Sequence, residues 1–105
     1  MKYRINNFRN LKCYERSLKL YKNIVDNDLY SYEDAQNIRY GLTKIMTYLA
    51  KSTGDGLYIK SVKEDLRKAI NWSDYTIRFL SYEDRIEGII IKKMICGLKR
   101  KMAEE

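Results

Sequence analysis

Apolar residues recur at alternating steps of three and four along most of the chain, which is the spacing of one face of an α-helix. Four segments carry such a stripe: Leu11–Tyr14–Leu18–Tyr21–Val25, Ala35–Ile38–Leu42–Ile45–Leu49, Ile59–Val62–Leu66–Ala69/Ile70 and Ile91–Ile95–Leu98–Met102. The pattern predicts helices from after "INNF" to about residue 26, from 32 to near "KSTGDG" at 51–56, from 57 to 80 and from 82 to 102.

The tetrapeptide "SYED" occurs at 31–34 and again at 81–84, each time where one apolar stripe has ended and the next begins. Ser31 and Ser81 are predicted to cap the second and fourth helices, because a serine oxygen accepts a hydrogen bond from the backbone N–H three residues on. Asp34 and Asp84 then occupy the third helical position of a capping box. The repeat is therefore interpreted as two helix starts and not as a duplicated functional motif.

Two stretches of the pattern leave alternatives. "GIIIKKMI" (88–95) has the composition of a strand, but no other segment offers a partner strand, so it is assigned to the fourth helix. Past "NWSD" (71–74) the apolar phase moves towards Ile77 and Leu80, which leaves open a kink in the third helix. Trp72 is predicted to lie in the core, and a position on a partner-binding surface is the alternative. The chain is thus predicted to be all-α, one domain over 1–105 folded as an antiparallel, up-down-up-down four-helix bundle.

The amino-acid composition limits the catalytic and metal-binding chemistry open to the chain. The 105 residues include no histidine, which removes the commonest general base and the commonest transition-metal ligand. Cys13 and Cys96 form neither a CxxC pair nor a zinc spacing, and are interpreted as small buried hydrophobes. We therefore expect no enzymatic activity, no metal site and no cofactor. No stretch has the pattern of a signal peptide or a membrane span, which predicts a cytoplasmic protein that does not enter a membrane.

The net charge of the chain and its distribution suggest a class of binding partner. The formal net charge is +7, and residues 1–25 carry seven basic groups against Glu15 alone. This excess favours a polyanionic partner, with solubility as the alternative explanation. Basic stripes on the polar sides of three predicted helices are the candidate nucleic-acid-binding residues, and they would contact phosphates in preference to bases. They are Arg9, Lys12, Arg16 and Lys19; Lys60, Lys63 and Arg67; and Lys92, Lys93, Lys99 and Arg100.

Three stretches resemble the small bacterial four-helix bundle protein family, which includes proteins encoded within ribosomal-RNA intervening sequences and the accessory variability protein of diversity-generating retroelements. "NFRNLKCYERSLKLYKNIV" (7–25) is similar to the family's opening helix, "TYLAKSTGDG" (47–56) to the end of its second helix, and "IKKMICGLKRKM" (91–102) to its closing helix. The family's usual proline and glutamate near the second turn are missing here, and Lys51 stands near the glutamate position.

The resemblance implies a basic helical bundle that assembles into a homo-oligomeric ring, commonly a pentamer. For the retroelement branch it also implies binding to a reverse transcriptase and its template RNA. The first functional hypothesis is therefore a non-enzymatic, oligomeric nucleic-acid-binding accessory protein, with RNA favoured over DNA. The alternative is a protein-interaction adaptor or small inhibitor, whose charge serves an acidic protein partner or solubility only, and whose tyrosines and Trp72 make the contacts.

Overall fold

The computed structural model describes residues 11–26, 28–54 and 59–103. This part of the chain forms four α-helices: α1 (Lys12–Val25), α2 (Tyr32–Gly54), α3 (Ile59–Ile77) and α4 (Tyr82–Ala103). Both α1 and α3 pack on α2 and α4, so α1 lies diagonally opposite α3, and α2 diagonally opposite α4. The contacts Tyr40–Trp72 and Tyr48–Lys68 run forward along α2 and backward along α3, and Asp74–Lys92 joins the end of α3 to the first half of α4, so these neighbouring helices are antiparallel. The predicted four-helix bundle is confirmed.

The predicted boundaries differ from the observed ones by a few residues. The start of the first helix, after "INNF", lies outside the described residues, as does the predicted start of the third helix at 57–58. α3 ends at Ile77, three residues before the predicted end, because the chain turns at 78–80 into the cap of α4. "GIIIKKMI" lies inside α4, so its assignment to a helix is confirmed.

The core confirms the predicted stripes of α2, α3 and α4. α2 buries its predicted residues from Ile38 to Leu49, and α4 buries Ile91, Ile95 and Met102, with Leu98 partly buried beside them. On α3 the side chains of Val62, Leu66 and Ala69 are buried as predicted. Apolar burial along these three stripes supplies most of the driving force for packing the helices together.

The prediction for α1 holds in part: Leu11, Tyr14 and Tyr21 are partly buried against the core, but Leu18 and Val25 are not. Its buried stripe consists of Cys13, Ser17, Leu20 and Ile24. Leu18 and Val25, which were assigned to the core, are 37% and 51% exposed. The helix carries two apolar stripes side by side, and the periodicity of a single helix does not decide which of them faces its neighbours. α1 therefore keeps an apolar strip on its outer side.

Buried hydroxyls explain why the apolar phase of α3 appears to move. α3 is continuous through "NWSD", and the positions that continue its inner stripe are Ser73 and Thr76, each 2% exposed. The Ser73 hydroxyl donates to the backbone oxygen of Ala69 at 2.9 Å, and the Thr76 hydroxyl donates to that of Trp72 at 2.7 Å. Such bonds to the preceding turn satisfy a hydroxyl inside a helix bundle. The stripe continues with polar residues in place of apolar ones.

The two "SYED" segments meet at one end of the bundle. The Asp34 N–H donates to Ser31 Oγ at 3.1 Å, and the Asp84 N–H donates to Ser81 Oγ at 3.4 Å, so both predicted caps are confirmed. The Tyr30 hydroxyl reinforces the weaker cap: it donates to Asp84 Oδ2 at 2.5 Å and accepts from the Ser81 N–H at 2.9 Å. The connection before α2 is thus bonded directly to the start of α4.

Candidate nucleic-acid interface

The two ends of the bundle differ sharply in charge. The C-terminal parts of α2 and α4 meet the N-terminal part of α3 at what is called here the basic end, residues 45–54, 60–71 and 93–103. It carries nine basic residues against the acidic residues Glu64 and Asp65. They are Lys51, Lys60, Lys63, Arg67, Lys68, Lys93, Lys99, Arg100 and Lys101.

The opposite end, residues 26–36 and 78–87, is called here the acidic end. It carries seven acidic residues, counted over its described positions, against Arg78 and Arg85, and the last turns of α1 bring Lys19 and Lys22 to the same end. The acidic residues are Asp26, Asp28, Glu33, Asp34, Glu83, Asp84 and Glu87. The chain therefore has two charge asymmetries. In the sequence, basic residues are in excess near the N-terminus; in the folded bundle, one end is basic and the other acidic.

Helix dipoles account for part of this asymmetry. Acidic residues in the first turns of α2 and α4, and basic ones in their last turns, compensate the partial charges of the helix ends. α3 breaks the rule. It begins at the basic end with no acidic residue in its first turn, and Lys60 and Lys63 lie among its first five residues. Because cations there oppose the helix dipole, the stability of α3 does not explain these two lysines.

The structure brings together the predicted cations of α3 and α4, because these helices are antiparallel neighbours. Arg67 is the most engaged of them. Its guanidinium donates from Nε to Glu64 Oε2 at 3.0 Å and from Nη2 to the other oxygen of the same carboxylate. This contact lowers the pKa of Glu64, chiefly through the hydrogen bond. Both side chains stay about half exposed, so Arg67 remains in contact with solvent while it is paired.

The predicted cations of α4 separate into two sides. Lys92 Nζ lies 2.6 Å from Asp74 Oδ1 on α3, and that hydrogen bond raises the pKa of Lys92. Lys99 follows seven residues later, on the same side of the helix. Lys92 and Lys99 are partly buried, so these two lie on the flank of α4 beside α3 and only in part on the predicted polar side. Lys93 and Arg100, one residue further round, are exposed to solvent.

The predicted stripe on α1 meets acidic groups on α4. Arg16 Nη1 donates to both carboxylate oxygens of Glu87, at 2.9 and 3.0 Å. This pair spans a cleft of about 370 Å³ between α1 and α4. The lining residues are Arg16, Lys19, Leu20, Asn23, Asp84 and Glu87. Lys12 and Lys19 are exposed, and Arg9 lies outside the described residues. The α1 stripe is therefore a mixed-charge surface, unlike the basic end.

A cluster that the sequence did not reveal lies in the groove between α2 and α3. Tyr40, Trp72, Tyr75 and Phe79 form an edge-to-face ladder, called here the aromatic strip. Successive ring centroids lie 5.4, 5.1 and 5.1 Å apart, with interplanar angles of 79°, 75° and 62°. Trp72 is partly buried against the core, as predicted, and also forms part of this surface array.

Cations lie over the rings of this groove. Lys44 Nζ is 5.4 Å from the Tyr40 centroid and 5.9 Å from that of Trp72, and the Arg78 guanidinium is 5.4 Å from Tyr75. Lys68 Nζ lies 5.5 Å over Tyr48, on the side of the strip nearer the basic end. The only hint in the sequence was aromatic and basic residues spaced by four, as in Tyr40, Lys44 and Tyr48. That spacing becomes a site only when the two helices are neighbours.

Comparison with known proteins assigns no relative: no protein-family model, curated protein or solved structure matches the chain. The resemblance to the four-helix bundle family therefore stays a prediction. Over the described residues, none of the helices combines the length and the apolar character needed to cross a membrane. The same residues contain no group of three histidine, cysteine or carboxylate side chains placed to hold a metal ion.

Proposed function

We propose that the protein is a non-enzymatic nucleic-acid-binding protein that contacts phosphates with its basic end. The observation that carries the proposal is the concentration of nine cations against two acids there, together with Lys60 and Lys63 at the start of α3. Lysine and arginine at such density release counterions from a polyanion, which is the main source of affinity for a phosphate backbone. RNA is favoured over DNA, on the resemblance described above.

The proposal includes self-association and an accessory role. α4 carries a second apolar stripe on its outer side, where Tyr82, Ile86 and Ile89 are 80%, 50% and 38% exposed. A helix that is apolar on two sides is typical of one covered on both. This stripe supports a homo-oligomer in which α4 faces a neighbouring subunit. A ring of five subunits and a reverse transcriptase as partner come from the resemblance alone.

Binding of labelled RNA and DNA, measured by fluorescence anisotropy across a salt series, tests the proposal. If each subunit neutralises about four phosphates, raising the salt from 50 to 200 mM is expected to weaken binding by roughly two orders of magnitude. The double variant Lys60→Gln/Lys63→Gln should weaken binding and flatten the salt slope by about 0.7 to 0.9 per lost contact. As a matched control, Lys22→Gln removes one exposed lysine of α1 that lies outside the candidate stripes, and it should weaken binding less than Lys60→Gln alone. Absence of binding at low salt, or an affinity that does not change with salt concentration, would contradict the proposal.

A protein-interaction adaptor or small inhibitor is the second candidate. The observation in its favour is the set of large side chains exposed at the acidic end, where Leu29, Tyr32 and Tyr82 are 79%, 77% and 80% exposed. Exposed tyrosines are typical of protein interfaces. A pull-down after nuclease treatment separates the candidates. A partner retained without nucleic acid supports the adaptor, and a partner lost with it supports the first proposal.

A further inference from the structure

We infer that the groove between α2 and α3 binds single-stranded nucleic acid, with unpaired bases stacked on the aromatic strip. The inference rests on the proposed function and adds to it: the basic end holds phosphates of any nucleic acid, whereas the strip selects strands whose bases are free to stack. Aromatic side chains interleaved with cations are the usual means by which proteins hold single strands without reading their sequence.

The exposure of the strip supports this role. Tyr40 is 53% exposed although its ring packs edge-on against Trp72. An edge-to-face contact uses the edge of one ring and one face of the other, so it leaves ring faces on which a base can stack. A tyrosine that served only to fill the bundle would bury its ring. Tyr40 therefore offers aromatic surface beyond what the packing of α2 on α3 requires, while Trp72, Tyr75 and Phe79 are partly buried beside it.

The cations beside the strip are placed for phosphates. Lys44 lies over both Tyr40 and Trp72, and Arg78 lies over Tyr75. A base that stacks on one of these rings would displace the cation from the ring face and bring its own phosphate within that cation's reach. Residues 35–54 of α2 contain no aspartate or glutamate, so no acidic group of that helix repels a strand lying in the groove.

The groove continues from the basic end. Lys68 and Tyr48 mark the side of the strip nearer that end, and Phe79 marks the far side. From Lys68 to the end of α3 at Ile77 the helix rises by about 13.5 Å, at 1.5 Å per residue, and Phe79 follows in the turn. That length matches about four nucleotides at a stacked spacing of 3.4 Å. A strand whose phosphates are held at the basic end can thus run along α2 and α3 without leaving the protein.

Trp72 provides a direct reading, because it is the one tryptophan of the chain. A ten-nucleotide oligo(U) should quench its emission on binding, since a base stacked on the strip lies against or beside the indole. A duplex RNA of ten base pairs should bind through the basic end and leave the emission unchanged. Binding of both is followed in parallel by anisotropy of a label on the nucleic acid.

Variants at the strip complete the test. Tyr40→Leu should weaken oligo(U) binding about fivefold or more at every salt concentration without changing the salt slope. Tyr40→Phe keeps the ring and should retain binding. The matched control Tyr32→Leu removes an exposed tyrosine of the same helix outside the strip, and should bind like the unmodified protein. Circular dichroism confirms that each variant is folded, and Lys44→Met provides a second probe of the strip if Tyr40→Leu is not.

The outcomes separate the two proposals. Binding by anisotropy with no change in Trp72 emission would overturn the strip and leave the basic end in place. Equal quenching by oligo(U) and duplex, with Tyr40→Leu binding normally, would have the same meaning. Absence of binding of both nucleic acids at low salt would overturn the proposed function and this inference together.

Discussion

Replacing Gly41 by alanine tests a close approach of α2 and α3. A Cβ at Gly41 would lie 2.0 Å from Thr76 Oγ1, 3.1 Å from Thr76 Cβ and 3.2 Å from Tyr75 Cδ1. Thr76 cannot easily move aside, because it is buried, β-branched and hydrogen-bonded to the Trp72 carbonyl. Overpacking of this kind costs about 1–3 kcal/mol, and the rigid contact places it near the upper figure. Alanine in a helix offsets this by about 1 kcal/mol over glycine.

We therefore expect Gly41→Ala to lower the free energy of unfolding by about 2 kcal/mol, and Tm by roughly 8–16 °C for a domain of this size. Urea and thermal unfolding followed by circular dichroism measure both. Gly97 is the matched control, since a Cβ there meets nothing within 4 Å, and Gly97→Ala should stabilise by about 0.5–1 kcal/mol. The double variant Gly41→Ala/Thr76→Ala removes the closest contact and should recover part of the loss. If Gly41→Ala raises Tm as Gly97→Ala does, the argument from close approach is wrong.

Three further predictions concern the caps and the thiols. Ser31→Ala and Ser81→Ala should each lower stability by about 1 kcal/mol and leave nucleic-acid affinity unchanged; loss of binding in a folded variant would show that "SYED" has a functional role. Burial and the hydrogen bond to a carboxylate raise the pKa of Tyr30 above its ordinary value of 10.0, so its protonated form stabilises the fold below about pH 10 and this contribution is lost as the pH rises through the folded pKa. The stability of Tyr30→Phe should therefore fall less than that of the unmodified protein between pH 9 and 11, and coincident curves would contradict this. Cys13 is buried as predicted, and burial raises its pKa to about 11; Cys96 is only partly buried, contrary to its prediction. At pH 8 only Cys96 should therefore react readily with Ellman's reagent in the folded state, and Cys96→Ser should abolish the fast phase.

Periodicity predicted the fold because α2, α3 and α4 each carry an apolar stripe that the bundle buries. α2 is the simplest case, with its predicted stripe buried from Ile38 to Leu49. α1 misled the prediction because Leu18 and Val25 form a second stripe beside the buried one. α3 did so because Ser73 and Thr76 replace apolar residues at buried positions. In both helices, the residues that become buried depend on where the neighbouring helices pack. The spacing of apolar residues within one helix does not contain that information.

The sequence predicted part of the candidate site in the same way. Helical spacing located the cations on α3 and α4, and their adjacency in the bundle places them at one end. The pairs Arg16–Glu87 and Lys92–Asp74 join different helices, so the rotation of each helix about its axis had to be known. Predicting the aromatic strip would also have required knowing that α2 and α3 are neighbours, because its rings come from both helices. In each helix alone, the pattern is that of ordinary partial burial.

The unequal ends give the molecule a large permanent electric dipole moment directed along its longest dimension, which extends over 46 Å. Near a polyanion this dipole exerts a torque, so the protein should approach with its long axis upright and its basic end leading. Copies oriented in this way stand parallel, with like-charged ends side by side, and their mutual repulsion should oppose lateral assembly at low salt. Phosphates bound at the basic ends would remove that repulsion. We therefore expect nucleic acid to promote clustering of the protein, and its assembly state to depend on whether a polyanion is present.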